Sequence, residues 1–350
     1  MRPRRTEVDV AEKLILQVVR GCDVARFGRI GTGLLRHVEA PGAAPVLLVA
    51  ELAGEAVSLG RHQRAPSALA QVEAAGLQVH RRIGGGRALL AGEGSIGVLL
   101  ALPGAGALLA AGIGADKVIN RYVRGLRAGL SLFAGGTPVG YFGRDFLSAD
   151  GRQLAVVSQD GLPGGATIFE AVVGVERALP LPAALAGYPV HEDPRVAGAE
   201  GVALASLWQE PHDFSAIAEG IAGSYAQAHG CELVRSGEAP PEGDEPGPAV
   251  REDEAGWEES GVADVAIGFA EALVRHEGGV VRAVRFRGDF IAPAFVLRDL
   301  EAALVGVPLD FGAIGARVDE AFRRQGATVL GLRSLRVLAD AVLAAAGQGS

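Results

Sequence analysis

The sequence predicts an α+β fold, with mixed or antiparallel sheets flanked by helices, and not a doubly wound parallel sheet. Three observations carry that expectation. Apolar runs of strand length follow one another as neighbours instead of alternating strictly with helical segments. Tight-turn pairs, Asp150-Gly151 and Gly278-Gly279, sit between such runs, where a hairpin needs residues that tolerate positive φ. Residues 236–256, SGEAPPEGDEPGPAVREDEAG, hold Pro, Gly and acids with little to bury, and they divide the chain into a larger and a smaller unit.

Bulk properties narrow the function classes. With 350 residues, 49% of them hydrophobic and 21% charged, the chain reads as globular and long enough for two domains. A net charge of −8 argues against an extended nucleic-acid face. Cys22 and Cys231 stand far apart and form no CxxC pair, so a reducing, cytoplasmic setting is the expectation. The histidines are scattered without metal-ligand spacing, so no metal site is expected. The basic start MRPRR leads into Glu7, Asp9 and Glu12 and not into the apolar core of a signal peptide. Residues 94–115 carry no charge and have the length of a bilayer span. Glycines and Pro103 interrupt them, so two buried strands joined by a turn fit better, and no membrane partner is expected.

The elements follow in order. Residues 45–52 and 55–60 read as strands about Gly54. PSALAQVEAAG reads as a short helix, with Ser67 as its cap and Gly76 as its stop. LQVHRRI is a strand that delivers three glycines. Ile119, Val123, Leu126, Leu130 and Phe133 recur at helical spacing, predicting a helix from Asp116, as cap, to Phe133. A hairpin about Asp150-Gly151 and the strand ATIFEAVVGV come next, then a helix over Asp213–His229 ended by Gly230. Past residue 256, two strands about Gly278-Gly279 precede helices near 294–305, 312–325 and 334–346.

The stretch RRIGGGRALLAGEGS, residues 81–95, holds the chemical question. A P-loop needs lysine after its glycines, and none is near. A dinucleotide fingerprint opens a helix, whereas Arg87-Ala88-Leu89-Leu90 continues as a strand. Two readings remain: a plain hairpin turn with solvated arginines, or a turn whose N–H groups and arginines hold an anion.

VSLGRHQ (57–63), a helix, and then GLQVHRRIGGGRALL together resemble the lipoate-protein ligase family, of the biotin/lipoate ligase superfamily. The family has a GRxxQ-like turn before its helix and a loop RRx[S/T]GG[G/R]A around the acyl-adenylate. NRYVRGLRAGL and YFGRDFLSADGRQLAVVS are similar to the family's GRND segment and its following GRK strand. RFRGDF with LRDLEAALVGV is similar to the accessory C-terminal domain. The resemblance spans residues 45–345. It implies a biotin/lipoate-ligase-like catalytic domain over 1–235, a linker over 236–256 and a small α+β accessory domain over 257–350. It also implies ATP and Mg²⁺ as substrates, lipoate or octanoate as acyl ligand, and lipoyl carrier domains as partners, with no tightly bound cofactor. Arg82, Gly84, Gly85, Gly86, Arg87, Gly143, Arg144 and Asp145 are the implied ligand-binding positions.

The sequence departs from the family at positions that matter. Gln153 stands where the family has the lysine that stabilises developing charge. Gly84 replaces a Ser or Thr, Asp145-Phe146 replaces Asn-Asp, and Ile168-Phe169 replaces His-Gly. The expectation is therefore a relative of lipoyl or octanoyl metabolism that keeps the scaffold and binds ligand or carrier domain, with adenylation impaired and no assignable catalytic residue. The alternatives are an active ATP-dependent ligase in which an arginine substitutes, a cysteine-thioester acyltransferase, and a protein-binding scaffold. Glu170, alone in an apolar strand, faces either a pocket or a sheet edge on this reading.

Overall fold

The computed structural model describes residues 11–64, 69–109, 113–181, 200–247, 257 and 259–347. Its centre is an eight-stranded mixed sheet. In chain order the strands are β1 (Lys13–Asp23), β2 (Val46–Ala53), β6 (Ser95–Leu102), β7 (Val139–Tyr141), β8 (Phe146–Ala149), β9 (Arg152–Gly161), β10 (Thr167–Gly174) and β11 (Glu232–Arg235). In space they run β11-β1-β2-β6-β10-β9-β8-β7. β1 is parallel to both of its neighbours, and the other pairs are antiparallel. β6 and β10 are buried along their whole lengths, as expected of central strands written in unbroken apolar runs. A small second sheet places β3 (Glu55–Leu59) between β4 (Gln78–Arg81) and β5 (Leu89–Gly92).

Seven α-helices lie among the described residues. One face of the large sheet carries α3 (Val118–Ser131) and α4 (Phe214–His229). These two approach closely because Gly125 and Gly129 leave room for Tyr225 and Ile221. The Asp213 carboxylate caps α4 by accepting from Ala216 N–H at 2.8 Å, and Gly230 ends it in the left-handed region at φ 66°. The other face carries α1 (Val24–His37), with the small sheet and its helix α2 (Leu69–Ala74) beyond. A third core belongs to residues 265–345. There β12 (Glu259–Val265), β13 (Gly268–Glu277) and β14 (Val280–Gly288) form an antiparallel meander packed by α5 (Ala294–Leu304), α6 (Phe311–Phe322) and α7 (Arg336–Ala345).

Several expectations need correction. Among the described residues of 94–115 there is one strand, β6, where two were expected. Both its edges are already taken, by β2 and β10, and the chain after Leu102 turns away at Pro103 and Gly104. No described helix is long and apolar enough to cross a membrane. Asp116 does not cap α3; its carboxylate pairs with Lys117 at 2.9 Å, within a 3₁₀ turn at Ala115–Lys117. Ser67 lies outside the described residues. The smaller unit has three strands among its described residues where two were expected; β12 begins in a stretch with few apolar residues, which gives no strand pattern to read. β1 and α1 lie outside the predicted elements, and the three glycines of α1 dilute its helical period. The described half of the acidic segment, 236–247, is laid along α1. Glu242 pairs with Arg26 at 2.7 Å and Arg29 at 3.3 Å, and Thr32 donates to Asp244 O.

Candidate functional site

β4 delivers the glycine loop to the face of the large sheet that carries Val156, Ser158 and Glu170. Arg82 N–H donates to Leu59 O at 3.0 Å, fastening the loop to β3. The Arg81 guanidinium donates to the carbonyls of Gly60 and Gln63, so the first arginine holds the GRHQ turn. The Arg82 guanidinium is buried and donates to Ser58 O at 3.1 Å, Gly85 O at 2.7 Å and Arg87 O at 2.8 Å. It therefore closes its own loop around itself. Burial pushes its pKa down, against the charge of Glu170.

Glu170 projects from β10 into the same place, only 1% exposed. Its Oε2 accepts from Gly84 N–H at 2.9 Å and from the Ser158 hydroxyl at 2.8 Å, with Arg82 Nε at 3.8 Å. Burial raises its pKa, opposed first by Arg82 and then by the Ser158 hydroxyl. Gly84 is required here by space: a Cβ at that position would lie 1.9 Å from Ser158 Oγ and 2.6 Å from Ser158 Cβ. The hydroxyl missing from residue 84 thus has a counterpart on β9, at Ser158.

The rest of the loop meets residues 288–292. Gly86 N–H donates to Phe290 O at 3.2 Å, and a Cβ on Gly85 would stand 2.4 Å from that oxygen. Ile291 is buried in the core of the larger unit. Gln63 donates to Asp289 at 2.7 Å, and His62 Nε2 lies 2.7 Å from Ala292 O with its ring stacked on Phe290. Asp160 accepts from Ala294 N–H at 2.9 Å at the start of α5. Burial lifts the carboxyls of Asp160 and Asp289 to about 6 each.

Among the implied site residues, Arg82, Gly84, Gly85, Gly86, Arg87 and Asp145 lie together. Arg87 Nε and Nη2 donate to the two oxygens of Asp145 at 3.0 and 3.1 Å, a bidentate pair largely out of solvent. Gly143 is exposed in the turn before Asp145, and the Arg144 guanidinium lies 5.4 Å from the Phe146 ring centre. Gln153 sits at the far end of β9. A bulge lets both Leu154 and Ala155 face the α3–α4 core, so residue 153 falls on the face of Ser148, Val156 and Ser158. It is roughly 15 Å from Ser158 at the rise of a strand. Neither cysteine is poised as a nucleophile: burial pushes Cys22 up to about 11 and raises Cys231 as well. No group of three or more His, Cys, Asp or Glu fit to hold a metal occurs among the described residues.

Ser158, Asp289, Phe290 and Ile291 are site residues that sequence reasoning missed. The one available signal was RFRGDF, visible as part of the smaller unit but not as a neighbour of the loop.

No family model matches the sequence, and no curated protein matches it. Solved structures do. LipL1 of P. falciparum, solved in complex with lipoate, superposes with a TM-score of 0.60 at 10% identity, covering 88% of this chain and 94% of that one. A bi-partite lipoate protein ligase from Thermoplasma acidophilum, solved with its E2 lipoyl domain, gives 0.51 at 12% identity, covering 65% and 87%. This agreement over most of both chains leads to one conclusion: the protein has the lipoate-protein ligase fold.

Proposed function

We propose that this is a lipoate-ligase-like protein of lipoyl or octanoyl metabolism that binds an acyl ligand, an acyl-adenylate or a lipoyl carrier domain with its own adenylation impaired. One observation carries the reading: the two arginines of the glycine loop, Arg82 and Arg87, are committed to structure. Arg82 is spent on three carbonyls of its own neighbourhood, and Arg87 is locked to both oxygens of Asp145. A guanidinium held in that way cannot swing onto a developing phosphate charge as a lysine ammonium does. Gln153 offers an amide on the sheet face where the family lysine would stand. Loss of one charge-stabilising donor of this kind costs about 3–4 kcal/mol of barrier, a hundredfold or more in rate. In this reading the chain divides at 236–256 into a ligase-like unit and an accessory unit, acts in the cytoplasm, and takes lipoate or octanoate as ligand and a lipoyl domain as partner. The lipoate and the E2 lipoyl domain held by the two structures of similar fold are in keeping with that.

The test is calorimetric titration with lipoate, octanoate, a non-hydrolysable lipoyl-AMP mimic and a lipoyl domain, with pyrophosphate release followed in parallel under ATP and Mg²⁺. Binding of acid, mimic or domain without pyrophosphate is the expected result. Pyrophosphate released at the rate of an active ligase would overturn the reading and restore the arginine-assisted ligase. Absence of all binding would leave only the scaffold.

A further inference from the structure

The glycine loop already has a carboxyl group on it. Two donors of different origin converge on a single oxygen, Glu170 Oε2, the Gly84 N–H and the Ser158 hydroxyl, and the charged Arg82 Nε stands 3.8 Å from it. Glu170 comes from the middle of β10, where every residue is buried and its neighbours on the strand are Phe169 and Ala171. A carboxylate in such a place is costly unless something answers its charge. Its second oxygen, Oε1, accepts no hydrogen bond among the described residues. The hydrogen bonds of the carboxyl group are thus concentrated on the oxygen that faces the loop.

The surrounding residues fit that role as a set. Gly84 has no side chain, and only its absence admits Ser158 Oγ. Ser158 then orients the carboxylate toward the Gly84 N–H. Gly86, two residues on, is engaged by Phe290 O and faces a carbonyl instead of an anion.

We propose that the Gly84 N–H and the Ser158 hydroxyl, beside the buried Arg82 guanidinium, form an oxyanion site whose resident occupant is the side chain of Glu170, and that an external oxyanion of the phosphate or carboxylate class enters only when that side chain is removed. The proposal rests on the reading of the glycine loop as an anion cradle, but not on the identity of any acyl ligand. A failure of lipoate or lipoyl-AMP to bind leaves it untouched.

The experiment is chemical rescue of Glu170→Ala. The variant leaves Arg82 buried beside a vacated space and is expected to melt several degrees below the parent. Sodium formate, as a carboxylate probe, and inorganic phosphate are titrated separately against sodium chloride of matched ionic strength. The expected result is a saturable rise in melting temperature of a few degrees for the variant with formate, phosphate or both, and none for the parent. An equal response of variant and parent, or no response of the folded variant to either anion, would overturn the proposal. If Glu170→Ala does not accumulate as folded protein, Glu170→Ser, which also vacates the carboxylate position, is titrated with the same two anions against the parent, and the same outcomes support or overturn the proposal.

Discussion

Restoring a hydroxyl to the loop at residue 84 should destabilise the protein, although the family resemblance implies Ser or Thr there. The Cβ introduced by Gly84→Ser would lie 1.9 Å from Ser158 Oγ, 2.6 Å from Ser158 Cβ and 3.0 Å from Gln159 N. Rotating Ser158 about χ1 relieves only the first contact. The other two involve the β9 backbone and the carbon attached to it, so loop and strand must separate. Overpacking of this kind costs about 1–3 kcal/mol. Rotation also breaks the 2.8 Å hydrogen bond from Ser158 to Glu170, a bond to a buried charged group worth about 1.5–3 kcal/mol. Together the expected loss is about 3–5 kcal/mol. The assay is equilibrium urea unfolding followed by circular dichroism, applied as a double-mutant cycle with Ser158→Gly. Ser158→Gly removes both clashing side-chain atoms, so adding Gly84→Ser to it should cost no more than about 2 kcal/mol. The cycle should therefore show a coupling of at least about 1–2 kcal/mol. A cost below about 1 kcal/mol for Gly84→Ser alone, or two substitutions that add within about 0.5 kcal/mol, would refute the packing account.

Two further outcomes follow from the contact between the loop and residues 288–292. The Asp289 carboxyl is held at about 6 by burial, above its ordinary 3.8, so its contribution to stability is fully present below about 4 and is lost as pH rises through about 6. Measured against Asp289→Asn, the parent should gain up to about 3 kcal/mol as pH falls from 7 to 4, at about 1.4 kcal/mol per unit; a flat difference across that range contradicts the burial assigned to Asp289. Ile291→Ala, at a site 1% exposed within the large core, should cost about 2–4 kcal/mol and speed exchange of the Gly86 amide, which is bonded to the preceding residue's carbonyl. Normal exchange at Gly86 in a destabilised variant would show that the side chain of Ile291 does not hold Phe290 on the loop.

Much of the framework is legible in local sequence because local physics makes it. The apolar runs of β6 and β10 are central strands since no polar residue interrupts them apart from Glu170. Asp150 and Gly151 both take positive φ, at 51° and 71°, as their hairpin requires. Asp213 and Gly230 bound α4 by capping chemistry that is readable from the letters alone. The nearness of Arg82, Gly84–Arg87 and Asp145 came from the resemblance, and spacing alone does not give it.

What the sequence could not determine is which of two faces a residue points to and what waits there. Glu170 reads equally as pocket or edge until β10 is paired on both sides, which leaves only the loop to meet it. Ser158 looks like any strand serine, and becomes a partner of Gly84 and Glu170 only because antiparallel register sets it opposite residue 170. Phe290 and Ile291 lie some two hundred residues from Gly85 and Gly86, and no local pattern encodes that contact. The sequence by itself determined many of the elements and their turns, since these follow from interactions within a few residues. The tertiary structure alone decided what fills that loop, because a buried carboxylate, a serine and a returning segment meet there only after the sheet has closed.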